Sequence, residues 1–226
     1  MHECIPDVLR SQDFEVSTLL LRPERAEAFL VLAHGAGAGF KHTFMEGFAQ
    51  ALADVGVASL RYNFPYMESG GFPPNRPAIL VDAVSAATAR GLELSGDLPV
   101  FAGGKSMGGR MTSTAASQGR LPGAVEGLVF VGFPLHPAGR PGTDRAEHLA
   151  DVTQPMLFLQ GSRDKLATPG LLLPVLAALG DQAEIHMIED ADHGFHVPKR
   201  SGRTDDEVIV ELAERAARFM RNRRRS

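Results

Sequence analysis

The chain has 226 residues, of which 44% are hydrophobic and 22% are charged, and its formal net charge is −4. The length suits one α/β domain, which we expect to span residues 1–226, and the composition is ordinary for a soluble globular protein. The slightly negative charge argues against generic binding to nucleic acid.

Short aliphatic runs alternate with longer helical patterns along the chain. The predicted strands are Phe14–Leu21, Ala28–Ala33, Val57–Tyr62, Leu98–Ala102, Val125–Gly132, Pro155–Gln160 and Ala183–Ile188. Several of these runs are apolar throughout, which is typical of parallel strands that are buried on both faces. The alternation predicts an α/β fold with a doubly wound, mostly parallel sheet and helices on both faces.

Several predicted helices have a recognisable N-cap, the residue directly before the first helical residue. Thr43 and Thr204 each precede a glutamate by three residues, and this spacing predicts a capping box. Thr168 precedes Pro169, which predicts a cap followed by a proline in the first helical position. The last helix repeats apolar residues on one face.

Proline and glycine cluster in two segments, 64–77 and 133–142, and both follow predicted strands. Loops at the carboxyl ends of strands line the ligand crevice of an open α/β sheet. We therefore predict that side chains of these segments line a substrate pocket, although packing of the loops themselves is an equal alternative. The predicted pocket residues are Phe64, Tyr66, Met67, Phe72, Leu135 and His136.

The segment between the fifth predicted strand, Val125–Gly132, and the next strand is short. Residues 133–152 span only about 20 positions, too few for a cap domain with a core of its own. We therefore expect an open site without a large cap. Arg61, Lys105 and Arg140 are interpreted as surface charges, with contact to an anionic substrate as the alternative.

The motif Gly104-Lys105-Ser106-Met107-Gly108 follows a predicted strand and precedes a predicted helix over residues 107–117. In a G-x-S-x-G elbow the serine occupies a strained turn that projects its hydroxyl into the cleft. The glycines leave room where strand and helix approach each other. We interpret Ser106 as a nucleophile; a glycine-rich turn in which the serine only caps the helix is the alternative.

A serine hydroxyl needs a base, and the base needs an acid that fixes its tautomer. In hydrolases with this elbow the chain order is Ser, acid, His. Asp164 follows a predicted strand and His193 follows the last one, so we predict that they are this acid and this base. Asp190 and Asp192 are weaker acid candidates, His196 is a weaker base candidate, and His186 is interpreted as structural.

Acyl transfer develops negative charge on the carbonyl oxygen, which backbone N–H groups stabilise. We predict one donor at Met107, directly after the nucleophile. We assign the second to Ala36 in the loop His34-Gly35-Ala36-Gly37-Ala38-Gly39, with Gly37 as the neighbouring candidate. This loop lacks the Gly-Lys-Ser/Thr ending of a phosphate-binding loop and the dinucleotide spacing.

On these motifs the chain resembles the α/β-hydrolase superfamily, and within it the small dienelactone-hydrolase-like branch whose substrates are unassigned. The elbow, Asp164 and His193 correspond to the motifs of that branch. The resemblance implies an α/β-hydrolase fold and a serine esterase. Dienelactone hydrolases proper carry cysteine at the position of Ser106, so lactone specificity does not follow.

Two functions are compatible with these patterns. The first is a serine hydrolase that cleaves a small carboxylic ester or thioester through an acyl-enzyme, with no metal and no cofactor. The second is a non-catalytic binding or scaffold protein that retains the fold.

The composition and the lack of targeting patterns lead to expectations about partners and location. The first seven residues lack the pattern of a secretory signal, and no apolar stretch is long enough to span a bilayer. Cys4 is the only cysteine, so no intrachain disulfide can form. We therefore expect a cytoplasmic protein that acts on a small molecule and does not bind membranes. The arginine-rich run 221–225 is interpreted as a solvated helix end, with a polyanion contact as the alternative.

Overall fold

A computed structural model describes residues 2, 4–72 and 74–223, and within them the chain folds around one eight-stranded sheet. The strand order is β1-β2-β4-β3-β5-β6-β7-β8. The pairs β1–β2 and β2–β4 are antiparallel, and all others are parallel. The strands are β1 Cys4–Arg10, β2 Glu15–Leu21, β3 Ala28–Ala33, β4 Val57–Tyr62, β5 Val100–Lys105, β6 Val125–Val131, β7 Met156–Gly161 and β8 Ala183–Ile188.

Helices cover both faces of this sheet, so the doubly wound α/β fold is confirmed. The helices are α1 Thr43–Asp54, α2 Pro65–Glu68, α3 Pro77–Ser95, α4 Met107–Ser117, α5 Pro169–Leu179 and α6 Asp205–Arg223. Along β3, Phe29 and Val31 belong to the core under α3, α4 and α5, whereas Leu30 and Leu32 belong to the core under α1 and α6. This alternation follows from the period of two of a strand.

Strands β2 to β8 lie where the sequence predicts strands, with boundaries that differ by three residues at most, and one strand is new. Strand β1 was not predicted; it is an edge strand that pairs only with β2 and contains Pro6, which edges tolerate. The fifth strand extends beyond Ala102 to Lys105 because Gly103 and Gly104 keep their register with both neighbouring strands.

The helix caps match the predictions in part. The Thr204 capping box is confirmed: the Thr204 N–H donates to Glu207 Oε2 at 2.7 Å, and the Glu207 N–H donates to Thr204 Oγ1 at 3.2 Å. The capping box at Thr43 is wrong. Thr43 is already the first helical residue, and the preceding His42 caps α1 by accepting the Phe44 N–H at its Nδ1.

Further expectations from the sequence concern a cap domain, membrane-spanning helices and the terminal arginine run. Between β6 and β7 the described chain forms only a 3-10 helix, Asp144–Asp151, and no large cap. None of the helices in the described ranges is both long and apolar enough to cross a membrane. Arg224 and Arg225 of the terminal arginine run lie outside the described residues.

Candidate active site

Ser106 lies on a sharp turn between β5 and α4, at the carboxyl edge of the parallel strands. Its φ of 50° is in the left-handed region, which costs a non-glycine residue about 1–3 kcal/mol. The turn is held by the Ser106 N–H, which donates to the Val131 carbonyl at 3.0 Å. The backbone conformation is thus that of a nucleophile elbow.

The glycines on either side of Ser106 are required by close backbone contacts. A Cβ on Gly104 would lie 2.5 Å from the Ala33 carbonyl oxygen, and one on Gly108 would lie 2.6 Å from the same atom. Real Cβ atoms are never this close to backbone. The first turn of α4 therefore packs directly on the end of β3, as the motif predicts.

The side chains of Ser106, His193 and Asp164 form a continuous chain of hydrogen bonds. His193 Nε2 is 2.8 Å from Ser106 Oγ, and His193 Nδ1 is 2.7 Å from Asp164 Oδ2. An ionised carboxylate only accepts, so Nδ1 carries the proton and Nε2 is free to accept the serine proton. The structure thus brings together three residues that are far apart in the sequence.

Asp164 is buried, at 1% exposure, yet its carboxylate is fully hydrogen-bonded. Its Oδ1 accepts the Leu166 N–H at 2.7 Å, and its Oδ2 accepts from Gln160 Nε2 at 2.5 Å besides His193. Such bonds compensate for the loss of water around a buried charge. The carboxylate is therefore fixed in the orientation that His193 requires.

The backbone N–H groups of Ala36 and Met107 have no acceptor among the described residues. Met107 is the first residue of α4, where a helix leaves its N–H groups unpaired and its dipole favours negative charge. Ala36 is exposed and lines the cavity that contains Ser106. Both donors are free to bind an anionic oxygen.

The loop that contains Ala36 is shaped by a buried histidine. His34 Nδ1 donates to the Gly35 carbonyl at 2.8 Å, and Nε2 accepts the Phe64 N–H at 3.0 Å. Burial lowers the pKa of His34 to about 4, so the ring is neutral and serves both bonds. His34 thereby ties the loop after β3 to the loop after β4.

A cavity of about 370 Å³ opens over Ser106 and His193. Its other walls are mostly apolar or small, so the space suits a short apolar group. The lining residues beside Ser106 and His193 are Gly35, Ala36, Ala38, His42, Phe44, Met45, Lys105, Leu166 and Gly194.

This cavity differs from the predicted pocket, because none of the six predicted residues lines it. Phe64 and Leu135 are fully buried, and Tyr66 and His136 nearly so. Met67 instead lines a larger groove along β2. Phe72 is 71% exposed and lies against Gly37. A residue's place in a loop did not indicate which way its side chain points.

The weaker candidates lie away from the serine hydroxyl. His196 pairs with Asp205 at 2.8 Å, and His186 pairs with Glu211 at 2.6 Å. Asp192 accepts the N–H groups of Gly194 and His196 within its own loop.

Two of the three predicted surface charges are wrong. Arg140 is exposed as predicted, but Arg61 is buried. Arg61 donates to the Phe40 carbonyl at 3.1 Å and so anchors the loop before α1. Lys105 is largely enclosed and contacts the loop of His193.

Sequence reasoning missed Gln160 and Phe44, which shape the site, and it interpreted Lys105 as a surface charge. Gln160 is a buried amide at the end of an otherwise apolar strand, and a polar residue in such a strand is a signal that could have indicated a role in the site. Phe44 belongs to α1, far from any recognised motif, so no local pattern indicates that it lines the cavity.

A mostly parallel sheet with a strained serine elbow at its carboxyl edge is the architecture of the α/β hydrolases. A family model described as an alpha/beta hydrolase domain matches residues 26–221. The chain therefore belongs to the α/β-hydrolase family.

Solved structures of similar fold cover nearly the whole chain at low sequence identity. An α/β serine hydrolase homologue from Coxiella burnetii is 18% identical, with a TM-score of 0.74 over 97% of this chain and 98% of that one. A dienelactone hydrolase from Anabaena variabilis is 20% identical, with a TM-score of 0.70 over 98% of both chains. A serine hydrolase without lid from Xanthomonas campestris is 18% identical, with a TM-score of 0.76 over 96% of this chain and 95% of that one.

Proposed function

We propose that the protein is a serine hydrolase that cleaves small carboxylic esters or thioesters through an acyl-enzyme on Ser106. The observation that carries this proposal is the unbroken hydrogen-bond chain from Ser106 Oγ through His193 to the buried Asp164. The substrate is a small molecule, and the reaction as proposed requires no metal or cofactor.

In the first half of the reaction Ser106 Oγ attacks the acyl carbonyl carbon while its proton moves to His193 Nε2. The carbonyl oxygen becomes negatively charged and accepts hydrogen bonds from the N–H groups of Ala36 and Met107. Asp164 stabilises the imidazolium. The intermediate collapses, and the alcohol or thiol leaves with the proton from His193. Water then enters as the second nucleophile and releases the acid by the same steps.

The size of the cavity supports a short acyl group. A space of about 370 Å³ lies at the lower end of small-molecule sites, and Phe44, Met45 and Leu166 give it apolar walls. A long acyl chain would extend beyond these walls into solvent. We expect acetyl to butyryl esters of p-nitrophenol to be hydrolysed with higher kcat/KM than the decanoyl ester.

The proposal is tested by labelling with a fluorophosphonate probe, followed by ester kinetics. Wild type should be labelled and Ser106→Ala should not, and kcat on p-nitrophenyl acetate should fall by roughly 10⁴-fold or more. Ser117→Ala is the matched control, because Ser117 ends the same helix and bonds only the Thr114 carbonyl.

Equal labelling of wild type and Ser106→Ala, or of neither, would contradict the enzyme proposal. It would favour the alternative of a non-catalytic binding or scaffold protein with this fold. That alternative expects no ester turnover above the Ser106→Ala background.

A further inference from the structure

The loop that carries His193 is strained, and the His193 ring is partly exposed, so other groups must hold the ring against the nucleophile. Asp190 and Phe195 both have positive φ, 60° and 66°, which non-glycine residues rarely adopt. The side chain of His193 is 26% exposed. A displacement of the ring by about 1 Å would cost on the order of 10²-fold in rate. The position of this loop relative to the elbow is therefore a determinant of activity.

Lys105, the residue directly before Ser106, contacts this loop. Its Nζ donates to the His193 carbonyl at 2.6 Å. Among the described residues no other group donates to that carbonyl. Lys105 and Ser106 are neighbours in the chain, so one dipeptide holds both the backbone and the ring of His193.

Two aromatic rings and a glycine surround the ammonium group of Lys105. Nζ lies 5.3 Å from the ring centre of Phe195 and 5.7 Å from that of Phe44, within the range of cation–π attraction. Below it, a Cβ on Gly132 would lie 3.0 Å from Nζ. The absence of a side chain at Gly132 thus leaves the space that the ammonium occupies.

We propose that Lys105 is a positioning residue, which sets the distance between His193 Nε2 and Ser106 Oγ by anchoring the His193 carbonyl to the elbow. The inference rests on the proposed function and adds to it a residue that does not touch the substrate's reacting atoms. The charged and titratable groups that face Lys105 are Asp164 from the loop after β7, and Asp192 with His193 from the loop after β8.

The protonation of Lys105 gives the anchor a pH dependence. Burial lowers the pKa of Lys105 to about 8, against the opposing effect of Asp164 and Asp192. Below that pH the group is an ammonium, whose charge-assisted hydrogen bond is roughly twice as strong as a neutral one. As the pH rises through 8 the anchor weakens.

The same shift has a consequence for the stability of the folded state. Since the pKa of Lys105 is lower when folded than its ordinary value, the protonated group destabilises the fold at neutral pH. Removal of this charge should not lower the melting temperature. An effect on rate would then be separable from an effect on folding.

The test compares Lys105→Met with wild type and with Lys199→Met, an exposed lysine a few residues beyond His193. We expect kcat on p-nitrophenyl acetate to fall by about 10- to 100-fold in Lys105→Met with little change in KM. The melting temperature at pH 7 should be equal to that of wild type or higher. Amide hydrogen exchange over residues 189–197 should be faster than in wild type, and Lys199→Met should match wild type in all three measurements.

The pH profile is a second readout that uses wild type alone. Wild-type kcat should fall about threefold as the pH rises past 8, and Lys105→Met should lack this fall. Should Lys105→Met fail to fold, exchange over 189–197 in wild type at pH 7 and pH 9.5, corrected for intrinsic exchange, replaces the comparison. A kcat of Lys105→Met within twofold of wild type, or unchanged exchange in this segment, would overturn the inference.

Failure of the proposed function is a different result. If wild type and Ser106→Ala hydrolyse esters equally, the enzyme proposal fails, whereas the anchor is still judged by exchange over 189–197. If wild type is active and Lys105→Met is equally active, only the anchor fails.

Discussion

The nucleophile and the base of the candidate site are held in place by different means. Around Ser106 the backbone of α4 packs directly on β3, and no side chain mediates the contact. The loop of His193 has such a backbone contact at its beginning, where a Cβ on Gly161 would lie 2.4 Å from the Ala191 carbonyl oxygen. Beyond Ala191 side chains hold the loop, since Asp192 Oδ1 accepts two N–H groups of its own loop. From outside the loop, Asp205 accepts the Val197 N–H at 3.0 Å.

This difference teaches which changes should affect folding and which should affect rate. A backbone contact without intervening side chains has no way to adjust, so a substitution there shifts the strand or the helix. A loop that is held by several independent hydrogen bonds can lose one of them and remain folded. We therefore expect stability effects at the elbow and activity effects at the histidine loop.

The largest expected effect is at Gly108. Gly108→Ala should lower the free energy of unfolding by about 3 kcal/mol or more, because the new Cβ would overlap the backbone of Ala33 and His34. Urea unfolding monitored by circular dichroism measures this change.

Gly170→Ala is the matched control for this substitution. Gly170 is the second residue of α5, as Gly108 is of α4, but a Cβ added to Gly170 would meet no other atom within 4 Å. We expect Gly170→Ala to raise the free energy of unfolding by about 0.5 kcal/mol, since alanine is the better helix former. A similar loss of unfolding free energy in both variants would contradict the inference that the backbone contact with β3 makes Gly108 irreplaceable.

A smaller effect on folding is expected within the histidine loop. Asp192→Ala removes the acceptor of the Gly194 and His196 N–H groups, and both residues are exposed, so water replaces it. We expect kcat to fall about tenfold while the free energy of unfolding falls by only about 1 kcal/mol. Asp181→Ala, at an exposed aspartate outside this loop, should change neither. A stability loss as large as that of Gly108→Ala would contradict the distinction.

The smallest effect concerns the outer contact of this loop, between His196 and Asp205. The hydrogen bond with Asp205 raises the pKa of His196 above its ordinary value. The contact therefore stabilises the fold fully below pH 6.5 and is lost as the pH rises through the raised pKa. The melting temperature of wild type should exceed that of His196→Gln more at pH 6 than at pH 8. If the difference in melting temperature is the same at both pH values, the contact between His196 and Asp205 does not stabilise the loop.

Much of the fold was predictable because the signals are local. Apolar or partly apolar runs indicate the strands from β2 to β8, and the glycines of the elbow follow from sterics alone. Strand β1 was missed because it has no continuous apolar run, and its pairing with β2 depends on the neighbouring strand. The start of α1 was misjudged by one residue because His42 served as the cap where a threonine was expected.

The site was predictable where chemistry dictates residue type and order, and not where packing decides. The motif and the chain order pointed to Ser106, Asp164 and His193, which the structure brings within hydrogen-bonding distance; their catalytic role remains a proposal. The cavity walls could not be predicted, because Phe64 turns into the core while Phe44 of a distant helix turns toward the serine.

Gln160 has a consequence for redesign of this protein. Its Oε1 accepts the Phe133 N–H at 2.9 Å while its Nε2 donates to Asp164. The side-chain amide of Gln160 therefore connects the beginning of the segment after β6 to the carboxylate of Asp164. A segment inserted downstream of Phe133 would leave both hydrogen bonds in place. A lid grafted there could enlarge the substrate range without shifting the carboxylate, provided that this glutamine is kept.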